Sequence, residues 1–197
     1  MPINRRQLAA INTLFSNANP VRKLLAALVL VTALAAWLWP QHGGAASAPA
    51  GAELQGTVVA IADGDTLTLL DAAQRQHKVR FAFIDAPEKA QPYGQRARQA
   101  LSEQVFRQPV RVEVIEQDRY GRNVGRVWRQ DQDINLLLVQ QGYAWHYRQY
   151  AQKTQSGSDF ARYEAAQQQA EQERLGLWQQ ATPQAPWDWR RNRREAG

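Results

Sequence analysis

The sequence predicts a mainly β domain with helices (α+β), in the form of a small closed antiparallel barrel of five strands preceded by an apolar N-terminal helix. Three observations support this fold class. Five segments between residues 53 and 130 have strand-like patterns bounded by turn signals, one segment of helical periodicity interrupts them, and helical segments come after the last strand. The 197 residues are enough for one domain with a core and extensions.

The chain divides by composition into five regions. Residues 1–23 form a basic segment, which we expect in the cytoplasm, and 24–39 are an uninterrupted apolar run. Residues 40–52, "PQHGGAASAPAGA", have the small, uncharged composition of a flexible linker. We expect the folded domain at 53–180, and a Trp/Arg-rich C-terminal tail at 181–197.

The apolar run at 24–39 predicts that the rest of the chain is exported, because basic residues precede the run and the next charge is Glu53. Two interpretations remain open. Small-residue sites between residues 46 and 50 are typical of a cleaved signal peptide, which would give a secreted or periplasmic protein. The long basic segment and Trp37 and Trp39 favour an uncleaved inner-membrane anchor, and this is the interpretation that we prefer.

The net charge of +6 comes from the two ends of the chain. Residues 51–186 carry 16 basic and 16 acidic side chains, so the central region is neutral and lacks the basic surface of a general nucleic-acid-binding domain. The arginine run in "WDWRRNRR" has the composition of a solvated charge run, with a lipid- or nucleic-acid-binding scaffold as the rival. The absence of cysteine excludes disulfide-linked partners and thiolate metal sites. We expect a monomer.

The five predicted strands form two hairpins with a single strand between them. "LQGTVVAIA" and "DTLTLL" flank Asp63-Gly64, a dipeptide typical of hairpin turns because glycine accepts positive φ. "QHKVRFAFI" is the third strand, and "PVRVEVIEQ" and "NVGRVWRQ" form a second hairpin around Tyr120-Gly121.

Helical periodicity predicts three helices within the domain. "PYGQRARQALSEQVFRQ" places alanines, Leu101 and Val105 on one face, and "DINLLLVQQGYAW" contains a short helix that ends at Gly142. A longer helix is predicted from about Ser158 to Leu175, where Gly176 stops it.

Charged side chains cluster at three turns. "DGDT" (63–66) places two carboxylates on either side of a glycine, "VRFAFIDAPE" (79–88) ends an apolar strand with Asp85 and Glu88, and "DRYGR" (118–122) places Arg122 at a hairpin. Each cluster alone has an ordinary explanation as turn chemistry or as a polar strand end. The missing glycine and glutamate downstream of Asp65 exclude an EF-hand loop.

Taken in order, these motifs resemble the staphylococcal nuclease (thermonuclease-like) family. "INLLLVQQGYAWHY", "RLGLW" and "PWDWR" extend the resemblance over residues 54–190. It implies a five-stranded OB-fold barrel with flanking helices. It also implies a Ca²⁺-dependent phosphodiesterase that acts on DNA and RNA with low sequence specificity, in endo or exo mode, and leaves 3′-phosphate and 5′-hydroxyl ends.

The resemblance also implies roles for ten residues. Asp63 and Asp85 match calcium ligands, with Asp65 beside the ion and the backbone carbonyl of Ala86, often threonine in the family, as a further ligand. Arg80 and Arg122 match phosphate-binding arginines, and Glu88 matches the carboxylate proposed as general base. Tyr120, Tyr147 and Tyr150 match tyrosines that line the nucleotide pocket.

The chemistry of these residues agrees with that assignment. Clustered aspartates repel one another unless a hard cation shares their oxygens. Guanidinium groups suit the paired oxygens of a five-coordinate phosphorus. The alternative is a non-catalytic OB-type nucleic-acid-binding module, in which the catalytic set would be incomplete. Here both arginines, Glu88 and the aspartates are all present, which favours the enzyme.

Overall fold

The computed structural model describes residues 48–195, and the apolar segment predicted at 24–39 lies outside them. Eight strands are present in the described part: β1 Glu53–Ile61, β2 Thr66–Leu70, β3 Gln76–Phe81, β4 Ile84–Asp85, β5 Pro109–Gln117, β6 Asn123–Arg129, β7 Gln132–Asp133 and β8 Trp145–His146. Five helices accompany them: α1 Gly94–Val105, α2 Ile134–Gln140, α3 Arg148–Thr154, α4 Gly157–Gln172 and α5 Pro186–Glu195. None of the helices described is long and apolar enough to cross a membrane.

Five strands close into a barrel. The hydrogen-bonded order is β3-β2-β1-β5-β6, and β6 pairs again with β3 through Val79–Asn123, Arg80–Val124 and Phe81–Gly125. This closing pair is parallel, whereas the other barrel pairs are antiparallel, so the prediction of a wholly antiparallel barrel was wrong at this one seam. A closed five-stranded barrel with flanking helices fits an OB-fold.

Apolar side chains at alternate positions of the strands fill the barrel interior. Inward-facing side chains of the five strands are almost completely buried, among them Val58, Leu67, Leu69, Val79, Phe81, Val112, Val114 and Val127. Helix α1 packs against β1 and α2, and α2 packs against β6 and α4. The core therefore extends from the barrel into the helical layer.

The buried Asn135 attaches α2 to the barrel. Its side-chain amide donates to the carbonyls of Ala82 (2.9 Å) and Gly125 (3.2 Å), and its Oδ1 accepts from Val127 N (2.9 Å). Because a buried amide without partners is costly, these bonds fix α2 at the seam between β3 and β6. This explains the asparagine within the otherwise apolar "INLLL".

The helices differ from the prediction in several places. The long helix ends at Gln172 rather than Leu175, because Arg174 adopts a left-handed conformation (φ 53°) before Gly176 begins a short 3₁₀ turn. Helix α3 was not predicted, and α5 forms within the segment predicted as a charged tail. Through Arg190, this helix contacts Asp85 at the end of β4.

Candidate active site

Nine of the ten predicted site residues line one pocket of about 570 Å³ on the barrel rim. They come from the β1–β2 turn, the end of β3, the segment after β4, the β5–β6 hairpin and helix α3. The tenth, Asp85, is fully buried and contacts Arg80 at the pocket wall. The pocket is lined by Asp63, Asp65, Arg80, Ala86, Glu88, Tyr120, Arg122, Tyr147 and Tyr150, and in addition by Arg190.

Asp63 and Asp65 meet in a tight turn. Asp65 N donates to Oδ1 of Asp63 (3.1 Å), and the Asp65 carboxylate accepts from Ala86 N (2.9 Å). Burial and the nearby charge of Asp65 raise the pKa of Asp63 to about 6. The turn thus holds two carboxylates together at an electrostatic cost, which a cation would relieve.

Gly64 has a different role from the one predicted. It is absent from the positive-φ glycines, and a Cβ at this position would lie 2.7 Å from the Cβ atoms of both Ala86 and Ala97. The glycine is needed because the turn packs directly against α1 and the segment after β4. This contact brings the two aspartates beside Ala86.

Arg80 links the two aspartate segments. Its Nη1 contacts Asp65 Oδ1 at 2.9 Å and its Nη2 contacts Asp85 Oδ1 at 2.8 Å. The charge of Asp65 is the main reason why the pKa of Arg80 is raised further, so the group stays charged. Arg80 therefore neutralises Asp65 and Asp85, the carboxylates that the family resemblance places at the cation site.

Arg122 is held by Asp118 of its own hairpin rather than by Asp63, Asp65 or Asp85. Its Nε contacts Asp118 Oδ2 at 2.6 Å, and Asp118 Oδ1 accepts from the backbone N of Arg122 and of Tyr120. Burial alone would raise the pKa of Asp118, but these hydrogen bonds lower it. Asp118 is thus a positioning residue within "DRYGR" to which the sequence prediction gave no role.

The tyrosines occupy two sides of the pocket. Tyr120 is 69% exposed and lies beneath the guanidinium groups of Arg119 and Arg122. Tyr147 contacts Tyr150 (ring centroids 4.8 Å apart). Trp187 stacks on Tyr147 with ring planes 8° apart and centroids 4.9 Å apart. One face of Tyr147 is therefore already covered.

Arg190 is a site residue that the sequence prediction missed. From α5, its Nη2 contacts Asp85 Oδ2 and its Nη1 contacts Glu88 Oε1, each at 2.7 Å. Burial would lower the pKa of Arg190, but Asp85 and Glu88 raise it. The sequence signal was the motif "PWDWR", whose arginine lies 105 positions from Asp85 and inside a run of charges.

The residues fit calcium in chemical type and in charge. Carboxylates of Asp63, Asp65, Asp85 and Glu88 outnumber the two guanidinium groups among them, and oxygen ligands are those that Ca²⁺ prefers. Within residues 48–195, however, no three His, Cys, Asp or Glu side chains are arranged to hold a metal ion. In the arrangement seen, Arg80 and Arg190 contact the oxygens instead.

Comparisons with known proteins identify the family of this chain. Residues 78–180 match the family model described as staphylococcal nuclease homologue. The chain is 40% identical to micrococcal nuclease of Shigella flexneri over 89% of this chain and 95% of that protein. It is 42% identical to protein ParB of Escherichia coli (77% and 89% covered) and 44% identical to an uncharacterized endonuclease of Haemophilus influenzae (68% and 71% covered). The chain therefore belongs to the staphylococcal nuclease family.

Proposed function

We propose that this protein is a Ca²⁺-dependent nuclease that hydrolyses the phosphodiester bonds of DNA and RNA with low sequence specificity. The observation that carries the proposal is the shared pocket, in which Arg80, Arg122 and Glu88 lie around a cluster of aspartates. The nuclease and endonuclease relatives support the reaction class.

The two arginines and Glu88 have different tasks in the proposed reaction. Arg80 and Arg122 would bind the non-bridging oxygens of the phosphate, whose negative charge increases as phosphorus becomes five-coordinate. Glu88 would accept the proton of the attacking water. The water oxygen would form a bond to phosphorus while the bond between phosphorus and the 5′-oxygen breaks, and the departing 5′-oxygen would take up a proton from solvent, so that the products carry a 3′-phosphate and a 5′-hydroxyl.

The aspartates and the backbone carbonyl of Ala86 would hold the calcium ion. When bound, it supplies a Lewis acid that polarises the phosphoryl oxygen. Asp65 and Asp85 are almost completely buried, so they are fixed in position before any ligand arrives. Mg²⁺ should support the reaction poorly, because it requires a tighter octahedral set of ligands.

The test is a cleavage assay on plasmid DNA, single-stranded DNA and RNA, in Ca²⁺, in Mg²⁺ and in excess EGTA. We expect cleavage of all three in Ca²⁺, weak cleavage in Mg²⁺ and none in EGTA. End-labelling should find 3′-phosphates. Full activity in EGTA would contradict the calcium assignment, and binding without cleavage in Ca²⁺ would show a non-catalytic module.

We also propose that the domain acts outside the cytoplasm, anchored in the inner membrane by residues 24–39. A reporter fused after Gly51 should be active only outside the cytoplasm, and the full-length protein should sediment with membranes. Recovery of a soluble species that begins near residue 49 or 51 would instead support a cleaved signal peptide. A reporter active in the cytoplasm would contradict export.

A further inference from the structure

Arg190 contacts the two acids to which the proposed function gives different tasks. Both oxygens of Asp85 accept from its guanidinium, at 3.2 Å and 2.7 Å, and Glu88 accepts from the same Nη1 at 2.7 Å. Asp85 is fully buried, whereas Glu88 and Arg190 are 38% and 37% exposed. One guanidinium therefore bridges a predicted cation ligand and the predicted general base.

The position of Arg190 is fixed by the start of α5. Ala185 and Pro186 are buried, and Trp187 packs edge-on against Trp145 while it stacks on Tyr147. These contacts pack α5 against the domain, so that Arg190 lines the pocket.

A hydrogen bond connects the segment just before α5 to the segment that carries Glu88. Gln91 Nε2 donates to the carbonyl of Gln184 at 2.7 Å, and Gln91 Oε1 accepts from Glu88 N at 3.1 Å. Arg190 and Glu88 are thus held on two segments that are tied to each other. The contact between Arg190 and Glu88 is therefore supported by the packing of the backbone segments that carry them.

The Arg190 contacts oppose calcium ligation by Asp85. Oδ2 of Asp85 is 2.7 Å from a guanidinium nitrogen of Arg190, and a calcium ion bound to the same oxygen would lie about 2.4 Å from that oxygen. The guanidinium and the ion would then be within about 5 Å of each other, and two positive charges this close repel each other strongly in a partly buried site.

We propose that Arg190 is a positioning residue for Glu88 that also competes with the cation for Asp85. In the cation-free protein it neutralises both carboxylates, and its charge beside Asp85 opposes binding of the cation. This inference rests on the proposed function, because it takes Asp85 as a ligand of the cation. It adds that the affinity for the cation is set partly by a residue of the C-terminal helix.

The experiment compares Arg190→Gln with Arg191→Gln. Arg191 is the adjacent residue of α5, is exposed and pairs with Asp188 at 2.7 Å, so its substitution removes the same charge away from the pocket. Calcium affinity is measured by titration calorimetry on full-length protein without substrate. We expect Arg190→Gln to bind Ca²⁺ about tenfold more tightly than wild type, and Arg191→Gln to bind it as wild type does.

Thermal unfolding gives a second, independent measurement. In EGTA, Arg190→Gln should melt below both wild type and Arg191→Gln, because Asp85 then loses a partner while it stays buried. In saturating Ca²⁺ the difference should shrink. Arg190→Lys keeps the charge but lacks the planar fork, so it should give a smaller gain in affinity. It also replaces Arg190→Gln in the titration if that variant does not fold in EGTA.

The outcomes separate the two proposals. Unchanged or weaker calcium binding in Arg190→Gln, with wild-type binding and cleavage intact, would overturn the competition and leave the nuclease proposal in place. Calcium binding and calcium-dependent cleavage absent from wild type and from every variant would overturn both. Calcium binding by Arg190→Gln but not by wild type would support the competition.

Discussion

At the scale of single residues, the two predicted phosphate-binding arginines are held by carboxylates rather than free. Arg80 is bound by Asp65 and Asp85, and Arg122 by Asp118. These contacts fix the guanidinium planes before substrate arrives, which reduces the entropy lost on binding. The geometry of the guanidinium fork, and not its charge alone, should therefore matter for catalysis.

Arg80→Lys and Arg122→Lys should each lower kcat about a hundredfold with little change in KM. Loss of a charge-assisted contact made in the transition state costs on the order of 3 kcal/mol. Kinetics on one single-stranded DNA in Ca²⁺ would measure both constants.

The matched control for these variants is Arg75→Lys. Arg75 pairs with Asp71 four residues earlier through the same Nε and backbone contacts that join Arg122 to Asp118, but it lies outside the pocket. It should keep wild-type kinetics. Near-wild-type kcat in both pocket variants would mean that these arginines do not contact the reacting phosphate.

Gly64→Ala should destabilise the protein by about 1–3 kcal/mol, because the new methyl group would be 2.7 Å from two alanine side chains in a packed contact. Gly157→Ala is the control, because Gly157 opens α4 and, apart from its chain neighbours and the backbone of its own helix, no atom lies within 4 Å of a Cβ built there. The change should be neutral or stabilising by less than about 1 kcal/mol. Urea unfolding in EGTA would measure both. Equal effects of the two substitutions would argue against the close contact.

At the scale of secondary-structure elements, a buried polar network attaches α4 to the barrel. The Tyr163 hydroxyl donates to Asp133 (2.8 Å), whose carboxylate also contacts Arg126 (2.7 Å) and caps α2 through Leu136 N (3.1 Å). Arg126 reaches Asp159 on α4 as well. One aspartate thereby joins β7, α2 and α4.

Tyr163→Phe should lower the free energy of unfolding by about 1–3 kcal/mol, since it removes a donor from a buried carboxylate without changing the packing volume. Arg162→Ala, which removes an exposed partner of Asp159, should cost less than about 0.5 kcal/mol. Chemical unfolding of the two variants and wild type would test this order. A larger loss from Arg162→Ala would contradict the assignment.

The same layer makes folding sensitive to pH through His146. Burial lowers the pKa of His146 below its ordinary 6.5, against the opposing effects of Gln155 and Glu164. The unfolded chain therefore takes up a proton near pH 6.5 that the folded protein takes up only at lower pH. Stability that depends on the neutral ring is present above pH 6.5 and is lost as pH falls below it.

His146→Gln removes this titration, so the stability of wild type relative to the variant should decrease between pH 7.5 and pH 5. Unfolding free energies of both proteins across that range would show it. If the difference between them is constant with pH, or increases as pH falls, His146 is not the group responsible.

At the scale of the whole molecule, local patterns predicted the five barrel strands and their hairpins but not which strands pair to close the barrel. Alternation in 109–117 and 123–130 identified a hairpin whose observed strands are Pro109–Gln117 and Asn123–Arg129, since its residues face the core in turn. The parallel pairing of β3 with β6 joins residues more than 40 positions apart, and periodicity carries no information about partners at that separation. Arg190 was missed for the same reason: its partners come together only through the fold. The ten predicted site residues came from ordered motifs, and nine of them line one pocket.

The charge of the molecule leads to the last prediction. Residues 51–186 are neutral, so binding of a short nucleic acid should depend on the few guanidinium groups of the pocket rather than on a broad basic surface. With about two to four phosphate contacts, log Kd for an eight-nucleotide single strand should change with log salt concentration with a slope of about 1.5–3. Glu88→Gln, which should bind without cleaving, allows the titration in Ca²⁺ between 50 and 300 mM KCl.

Replacing Arg191, Arg193 and Arg194 together by Gln should leave this slope unchanged, because all three are exposed on α5 and none lines the pocket. A slope well above about 5, or one that falls in the triple variant, would show that the arginine-rich helix and not the pocket provides most of the binding.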